Sequence, residues 1–146
     1  MKILINDHIV KVKDFFYDST EFYLNIVLEL CNGSLRDQLK NQHIYSEAEL
    51  TSFLIQIVSA FLELEKNKIM HLDFKPENVL LADDDGKHYK ICDFGCSQIS
   101  EISNLSGYEN NVFGTFNYLA PEVYLNYKGQ KHRNSADIWS VGVTLY

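Results

Sequence analysis

The sequence predicts an α+β fold, and three observations carry that prediction. Two runs rich in aromatic and β-branched residues flank Asp18-Ser19-Thr20-Glu21, which reads as a β-hairpin over residues 11–30. Ser46-Glu47-Ala48-Glu49 opens a stretch whose apolar residues recur at helical spacing. A second short hairpin, turning at Asp83-Asp84-Asp85-Gly86, precedes an apolar helix near the end of the sequence.

Taken in order, Met1 to Val10 is short and apolar-rich, and Lys11 to Tyr17 extends as a strand. Phe22 to Leu30 returns it, and Asn32-Gly33-Ser34 breaks the pairing before a short helix from Leu35 to Lys40. Ser46 and Glu49 form a capping box, in which hydroxyl and carboxylate satisfy end N–H groups reciprocally. Leu50, Phe53, Leu54, Ile57, Val58, Phe61 and Leu62 then give an apolar stripe expected to face a core. Val79 to Ala82 is strand-like, and His88 to Cys92 brings the chain back. The acidic triplet between them neither alternates ligands nor ends in glutamate as a calcium loop does, so it reads as a solvated turn. Residues 96–120 have no regular period, which marks a functional or disordered loop. Asn134-Ser135 caps a helix beginning near Asp137. Ile138, Trp139, Val141, Val143 and Leu145 make it apolar on more than one side, which suits an interior.

The totals bound the function. At 146 residues the chain holds one domain with a sizeable core, and 46% hydrophobic with 23% charged residues is ordinary globular composition. A formal charge of −7 argues against nucleic acid or an anionic membrane as partner. Cys31, Cys92 and Cys96 are odd in number, and no histidine stands at zinc-finger spacing, so neither a disulfide nor a zinc framework is expected. No long apolar run and no charged-then-apolar leader is present, and reduced thiols suit a cytoplasmic or nuclear protein.

The chemistry concentrates in His71-Leu72-Asp73-Phe74-Lys75-Pro76-Glu77-Asn78, with Asp93-Phe94-Gly95 beginning fifteen residues after Asn78. A carboxylate, a lysine and an amide share one loop, and a second carboxylate waits beyond the hairpin. Phosphoryl transfer from a nucleotide needs such a set: a base to orient the hydroxyl, a cation for the transferred group, and oxygen ligands for Mg²⁺.

These motifs, with Gly114-Thr115-Phe116-Asn117-Tyr118-Leu119-Ala120-Pro121-Glu122 and Asp137-Ile138-Trp139-Ser140 in the same order and spacing, resemble the eukaryotic protein kinase family in its serine/threonine form. The resemblance covers essentially the whole chain. It implies a partial protein kinase-like fold over residues 1–146: the end of an N-lobe as a β-hairpin, then a helical C-lobe truncated in its buried central helix. It also implies an enzyme, a transferase that uses ATP and Mg²⁺ to phosphorylate protein serine or threonine hydroxyls. Asp73 would orient or accept the hydroxyl proton, Lys75 would lie along the moving phosphoryl, and Thr115 would hydrogen-bond Asp73. Asn78 and Asp93 would ligate Mg²⁺. Leu28 would be the gatekeeper, Glu29 to Cys31 would offer hinge backbone to adenine, and Leu35 and Leu80 would sandwich the ring. His71 and Phe94 resemble residues that pack between the lobes, and Asp137 would hold the loop backbone.

Departures from the family pattern set the rival expectation. Leu72 stands where arginine is usual, which removes the cation that receives a phosphorylated activation loop and predicts activity independent of Ser97, Ser100, Ser103, Ser106 and Tyr108. With Cys96-Ser97 it resembles the Mos-like branch at two positions. No G-x-G-x-x-G is present, and neither Lys2, Lys11 nor Lys13 is placed as the phosphate-pairing strand lysine. Residues 1–10 resemble the end of the helix that carries its partner glutamate, and the arginine that pairs with Glu122 is not found. The alternative is therefore a truncated pseudokinase acting as a binding or scaffolding module. A small-molecule kinase fits less well, because residues 114–122 resemble a peptide-substrate loop. Cys92, directly before Asp93, reads either as a buried small residue or as a thiol reactive at the nucleotide pocket.

Overall fold

The computed structural model describes residues 4–18, 20, 22–99, 114–125 and 135–146. The expectations for Met1 to Ile3, Ser19, Glu21, residues 100–113 and the Asn134 cap lie outside the described residues. Strands β1 (Val12–Asp18) and β2 (Tyr23–Leu28) form the first hairpin, with Phe15 opposite Ile26, Tyr17 opposite Leu24, and a bulge between Val12 and Asp14. Their alternating side chains stay largely exposed on both faces, Phe15 at 56% and Ile26 at 56%.

Residues 4–10 hold no helix, contrary to the expected helix end. The Asn6 side chain accepts the His8 N–H at 2.8 Å and makes a turn instead, a local bond that competes with helical pairing. The segment is stitched to the strand before Asp93: Val10 N–H donates to the Ile91 carbonyl, and Ile91 N–H to that of His8, both at 2.9 Å.

The predicted capping box at Ser46 forms, and a second one, not anticipated, forms at Ser34. Ser34 and Asp37 cap helix α1 (Leu35–Lys40), and Ser46 and Glu49 cap helix α2 (Glu47–Lys66). Helix α2 buries Phe53, Ile57, Ala60 and Leu64, one residue per turn, with Leu54 and Phe61 packed alongside. Val58 and Leu62, expected in the stripe, are 48% and 59% exposed. The buried line runs through Phe53, Ile57, Ala60 and Leu64, and both residues lie off it.

After α2 come β3 (Ile69–Met70), the loop of residues 71–78 ending in a 3₁₀ turn, β4 (Val79–Leu81) and β5 (Tyr89–Ile91). β4 and β5 form the second hairpin, and β6 (Gln98–Ile99) returns to pair with β3. Helices α3 (Pro121–Tyr124) and α4 (Ser135–Leu145) follow. Helix α4 buries Ala136, Asp137, Ser140 and Val141, while Ile138 and Trp139 are 59% and 49% exposed. That half-open placement differs from the interior helix expected, since among the described residues only one of its faces is covered.

Two apolar clusters result. The larger joins α2 to the second hairpin and takes in Phe74; the smaller gathers Met70, Leu72, Ala120, Val123 and Ala136. Asp73 therefore sits between two neighbours, each anchored in a different core.

Candidate active site

The loop of residues 71–78 folds as it does because its apolar members have somewhere to go. Phe74 is fully buried and meets Phe61 of α2 edge to face, the ring centroids 5.3 Å apart. Leu72 is 5% exposed and takes φ +64°, a left-handed conformation that a branched side chain adopts only when its surroundings impose it. Pro76 then starts the 3₁₀ turn, where its missing N–H costs nothing. The strain at Leu72 is repeated at Asp93, whose φ is +60°. Both left-handed residues stand at the two ends of the proposed chemistry.

The loop backbone is held from below. The Asp137 carboxylate on α4 accepts the His71 N–H at 2.9 Å and the Leu72 N–H at 2.8 Å. His71 itself is buried, with its Nε2 2.9 Å from the Cys92 carbonyl and its ring 5.0 Å from that of Phe94. Burial pushes its pKa below the ordinary histidine value; the Cys92 carbonyl and the charges of Asp137, Asp73 and Asp93 offset this only in part. It is a structural, neutral histidine.

Above this support Asp73, Lys75 and Thr115 close a triangle. Lys75 Nζ lies 2.8 Å from Asp73 Oδ2 and donates to Thr115 Oγ1 at 2.7 Å, and the Thr115 hydroxyl lies 2.7 Å from Asp73 Oδ1. Burial raises the Asp73 pKa, but the Lys75 ammonium and the Thr115 hydroxyl outweigh it, so the carboxylate stays below its usual range. Burial likewise opposes charge on Lys75, and Asp73, with Glu77 and Asp93 behind it, holds the ammonium above its usual value. Both groups are thus ionised at neutral pH.

Asn78 joins from the loop's far end. Its Nδ2 donates to the Asp73 carbonyl at 2.9 Å and reaches Asp73 Oδ2 at 3.3 Å. That leaves Asn78 Oδ1 without a partner among the described residues. No fully buried side-chain oxygen among the described residues lacks a partner, so Oδ1 keeps some solvent contact although Asn78 as a whole is only 6% exposed. The Asn78 carbonyl accepts the Cys92 N–H at 2.9 Å, which brings the neighbouring Asp93 toward the loop. Asp93 is exposed, with Oδ1 accepting the Gly95 N–H at 3.2 Å. One amide oxygen and one exposed carboxylate, both hard donors, fit the chemistry of Mg²⁺, which keeps waters and phosphate oxygens for its other positions.

The residues assigned to the base run from the end of β2 to the start of α1, with Leu80 added from β4. Leu28, at the end of β2, is 42% exposed, and Cys31 is half-buried. Leu80 is half-buried on β4, whereas Leu35 lies within the larger core at 5% exposure. The Cys31 N–H and carbonyl have no hydrogen-bond partner among the described residues, while the next N–H, of Asn32, is bound to the Leu81 carbonyl at 2.8 Å. Cys92 is the inert one of its two readings: burial pushes its thiol to about 11, away from the reactive thiolate.

The protein kinase domain family matches the chain over residues 1–146. The chain belongs to that family. It is 35% identical over 144 residues to Calcium-dependent protein kinase 6 of Plasmodium berghei, covering 98% of this chain and 9% of that protein. It is 36% identical to the cell cycle serine/threonine-protein kinase CDC5/MSD2 of Saccharomyces cerevisiae, over 99% of this chain and 20% of the relative. With serine/threonine-protein kinase AtPK1/AtPK6 of Arabidopsis thaliana the identity is 40%, over 96% and 29%. The chain thus spans less than a third of the length of each of these kinases.

Sequence reasoning missed one charged residue of this kinase domain. Lys90 on β5 is 5% exposed, and its ammonium lies 2.7 Å from Glu29. A lysine inside the apolar run Tyr89-Lys90-Ile91-Cys92 was the available signal, since a buried cation requires a partner.

Proposed function

We propose that this domain transfers the terminal phosphoryl group of ATP to serine or threonine hydroxyls of proteins. The observation that carries this reading is the closed triangle of Asp73, Lys75 and Thr115, together with Asn78 hydrogen-bonded through Nδ2 to Asp73. A substrate hydroxyl entering beside Asp73 finds an ionised carboxylate whose orientation is fixed by Lys75, Thr115 and Asn78. With its pKa held below the usual carboxylate range, Asp73 orients the hydroxyl and takes its proton late, as the oxygen bonds to phosphorus. Lys75 supplies a fixed positive charge to the phosphoryl oxygens without reorganising. Asn78 and Asp93 would hold Mg²⁺, which when bound screens the phosphate charge. Free thiols at Cys31, Cys92 and Cys96 support work in a reducing, cytoplasmic or nuclear setting.

The test is transfer of labelled γ-phosphate to a mixed serine/threonine peptide pool, with Asp73→Asn as control. Transfer that the control loses by about 10²-fold or more supports the reading. ATP binding without any transfer would favour the scaffolding alternative.

A further inference from the structure

Residues 7–8 and residues 88–89 are tied together by two imidazoles that the chemistry above leaves unused. His8 Nδ1 lies 3.1 Å from the Tyr89 carbonyl, and His88 Nε2 lies 3.2 Å from the Asp7 carbonyl. A carbonyl oxygen only accepts, so the proton of each uncharged ring sits on the nitrogen that faces it. That leaves His8 Nε2 and His88 Nδ1 as bare lone pairs, neither with a hydrogen-bond partner among the described residues. Both are reached by solvent, because no fully buried side-chain nitrogen among the described residues lacks a partner.

Separation and support both suit a metal ion. The two ring centroids are 5.1 Å apart, with the planes tilted by 55°. Two imidazoles on one tetrahedral ion, each nitrogen about 2.0–2.1 Å from it, place their centroids about 5 Å apart. A ligating histidine also donates its other N–H to a carbonyl or carboxylate, which fixes the tautomer and aims the ring. Both histidines have that second bond, each to the residue next to the other histidine. The nearby carboxylates are engaged elsewhere: Asp7 pairs with Lys11 at 3.4 Å, and Asp83 accepts the Lys87 and His88 N–H groups at 3.1 Å. Among the described residues no third His, Cys, Asp or Glu side chain completes a metal-binding group, so water fills the remaining positions of any ion held there.

We infer that His8 and His88 form a two-histidine site for a divalent transition-metal ion of the zinc class, in which His8 Nε2 and His88 Nδ1 close on one ion. Imidazole nitrogen suits zinc, copper and nickel, whereas Mg²⁺ takes oxygen, so this site is chemically separate from Asn78 and Asp93. The ion staples residues 7–8 to the start of β5, beside the main-chain bonds that already join His8 and Val10 to Ile91. Because the folded chain alone brings the two rings together, binding stabilises the fold by mass action. Nothing in this depends on ATP, and the inference stands or falls apart from the proposed function.

The experiment titrates Zn²⁺ into the chelator-treated whole chain by calorimetry and records thermal melting with and without the ion. His8→Asn and His88→Gln are the informative variants, since each keeps an amide N–H for the carbonyl and loses the ligating nitrogen. His43→Asn, at a histidine beside Tyr45 and Glu49, controls for an ordinary surface imidazole. Wild type and control are expected to bind Zn²⁺ alike and to melt higher with it, and Mg²⁺ is expected not to compete. Each informative variant is expected to weaken that binding at least about tenfold and to lose most of the rise in melting temperature. Equal Zn²⁺ affinity in wild type and both variants, or no binding by wild type, would overturn the inference and leave the pair as a hydrogen-bonded clasp. Should a variant not fold, nitrogen NMR of the wild-type imidazoles decides. Zn²⁺ is expected to shift His8 Nε2 and His88 Nδ1 together, and resonances that stay in place would overturn the inference.

Discussion

His71 Nδ1 accepts the Asp73 N–H at 3.3 Å, so the imidazole stands directly behind the proposed base. An accepting Nδ1 carries no proton, which places the proton on Nε2, where it points at the Cys92 carbonyl 2.9 Å away. Both ring nitrogens are used by the neutral form alone.

Acid should therefore loosen this site. The folded pKa of His71 lies below its ordinary value of 6.5, although Asp137, Asp73 and Asp93 all face it and favour the cation. Such a group binds protons better when the chain unfolds. Its contribution is complete above 6.5 and is lost as pH falls from there toward the folded pKa, at no more than about 1.4 kcal/mol per pH unit. Denaturant melts of wild type and His71→Leu at about pH 7.5 and about pH 5.5 read this out. The variant, though less stable at both, is expected to lose less stability between them.

Asp137 should be a stability residue first. Its removal as Asp137→Ala orphans the buried His71 and Leu72 N–H groups, at a cost of about 2–5 kcal/mol in chemical denaturation. Asp137→Asn keeps one acceptor and is expected to cost roughly half of that.

Asp73 and Thr115 should separate cleanly in kinetics. Asp73→Asn is expected to lower turnover by about 10²–10⁴-fold with ATP binding preserved. Thr115→Ala removes one positioning bond, and a loss of about tenfold is expected. Because Asp73 titrates below its usual 3.8 and Lys75 above its usual 10.5, neither should produce a step in the rate near neutral pH.

The Leu72 side chain packs with Ala120 and Val123, so apolar contact joins the catalytic loop to the segment after Thr115. An arginine there would meet a phosphorylated loop; this leucine meets the core. Alanine at Ser97, Ser100, Ser103, Ser106 and Tyr108 together is expected to leave the transfer rate within about twofold of wild type. A large loss would show that a phosphate acts through some other cation.

Much of this was readable from the chain because the signals are local. The box at Ser46 involves a partner three residues away, and the loop of residues 71–78 carries its carboxylate, lysine and amide within six residues. Thr115 and Asp137 were placed through the family resemblance, since nothing local links them to Asp73. The Glu29–Lys90 pair spans sixty-one positions, so the apolar run around Lys90 signals that a partner is needed but not which one. Helical spacing predicted which faces of α2 and α4 were apolar, but not which would be covered. Val58, Leu62, Ile138 and Trp139 show that difference, which only packing decides.

The central claim is that the loop of residues 71–78 and Asp93 together hold a metal-bound triphosphate, and calorimetric titration of ATP tests it most directly. Titrations with Mg²⁺, with a chelator, and with Asp93→Asn are compared. The account predicts ATP binding that needs Mg²⁺ and weakens at least about tenfold in the variant. Equal affinity in all three would contradict it.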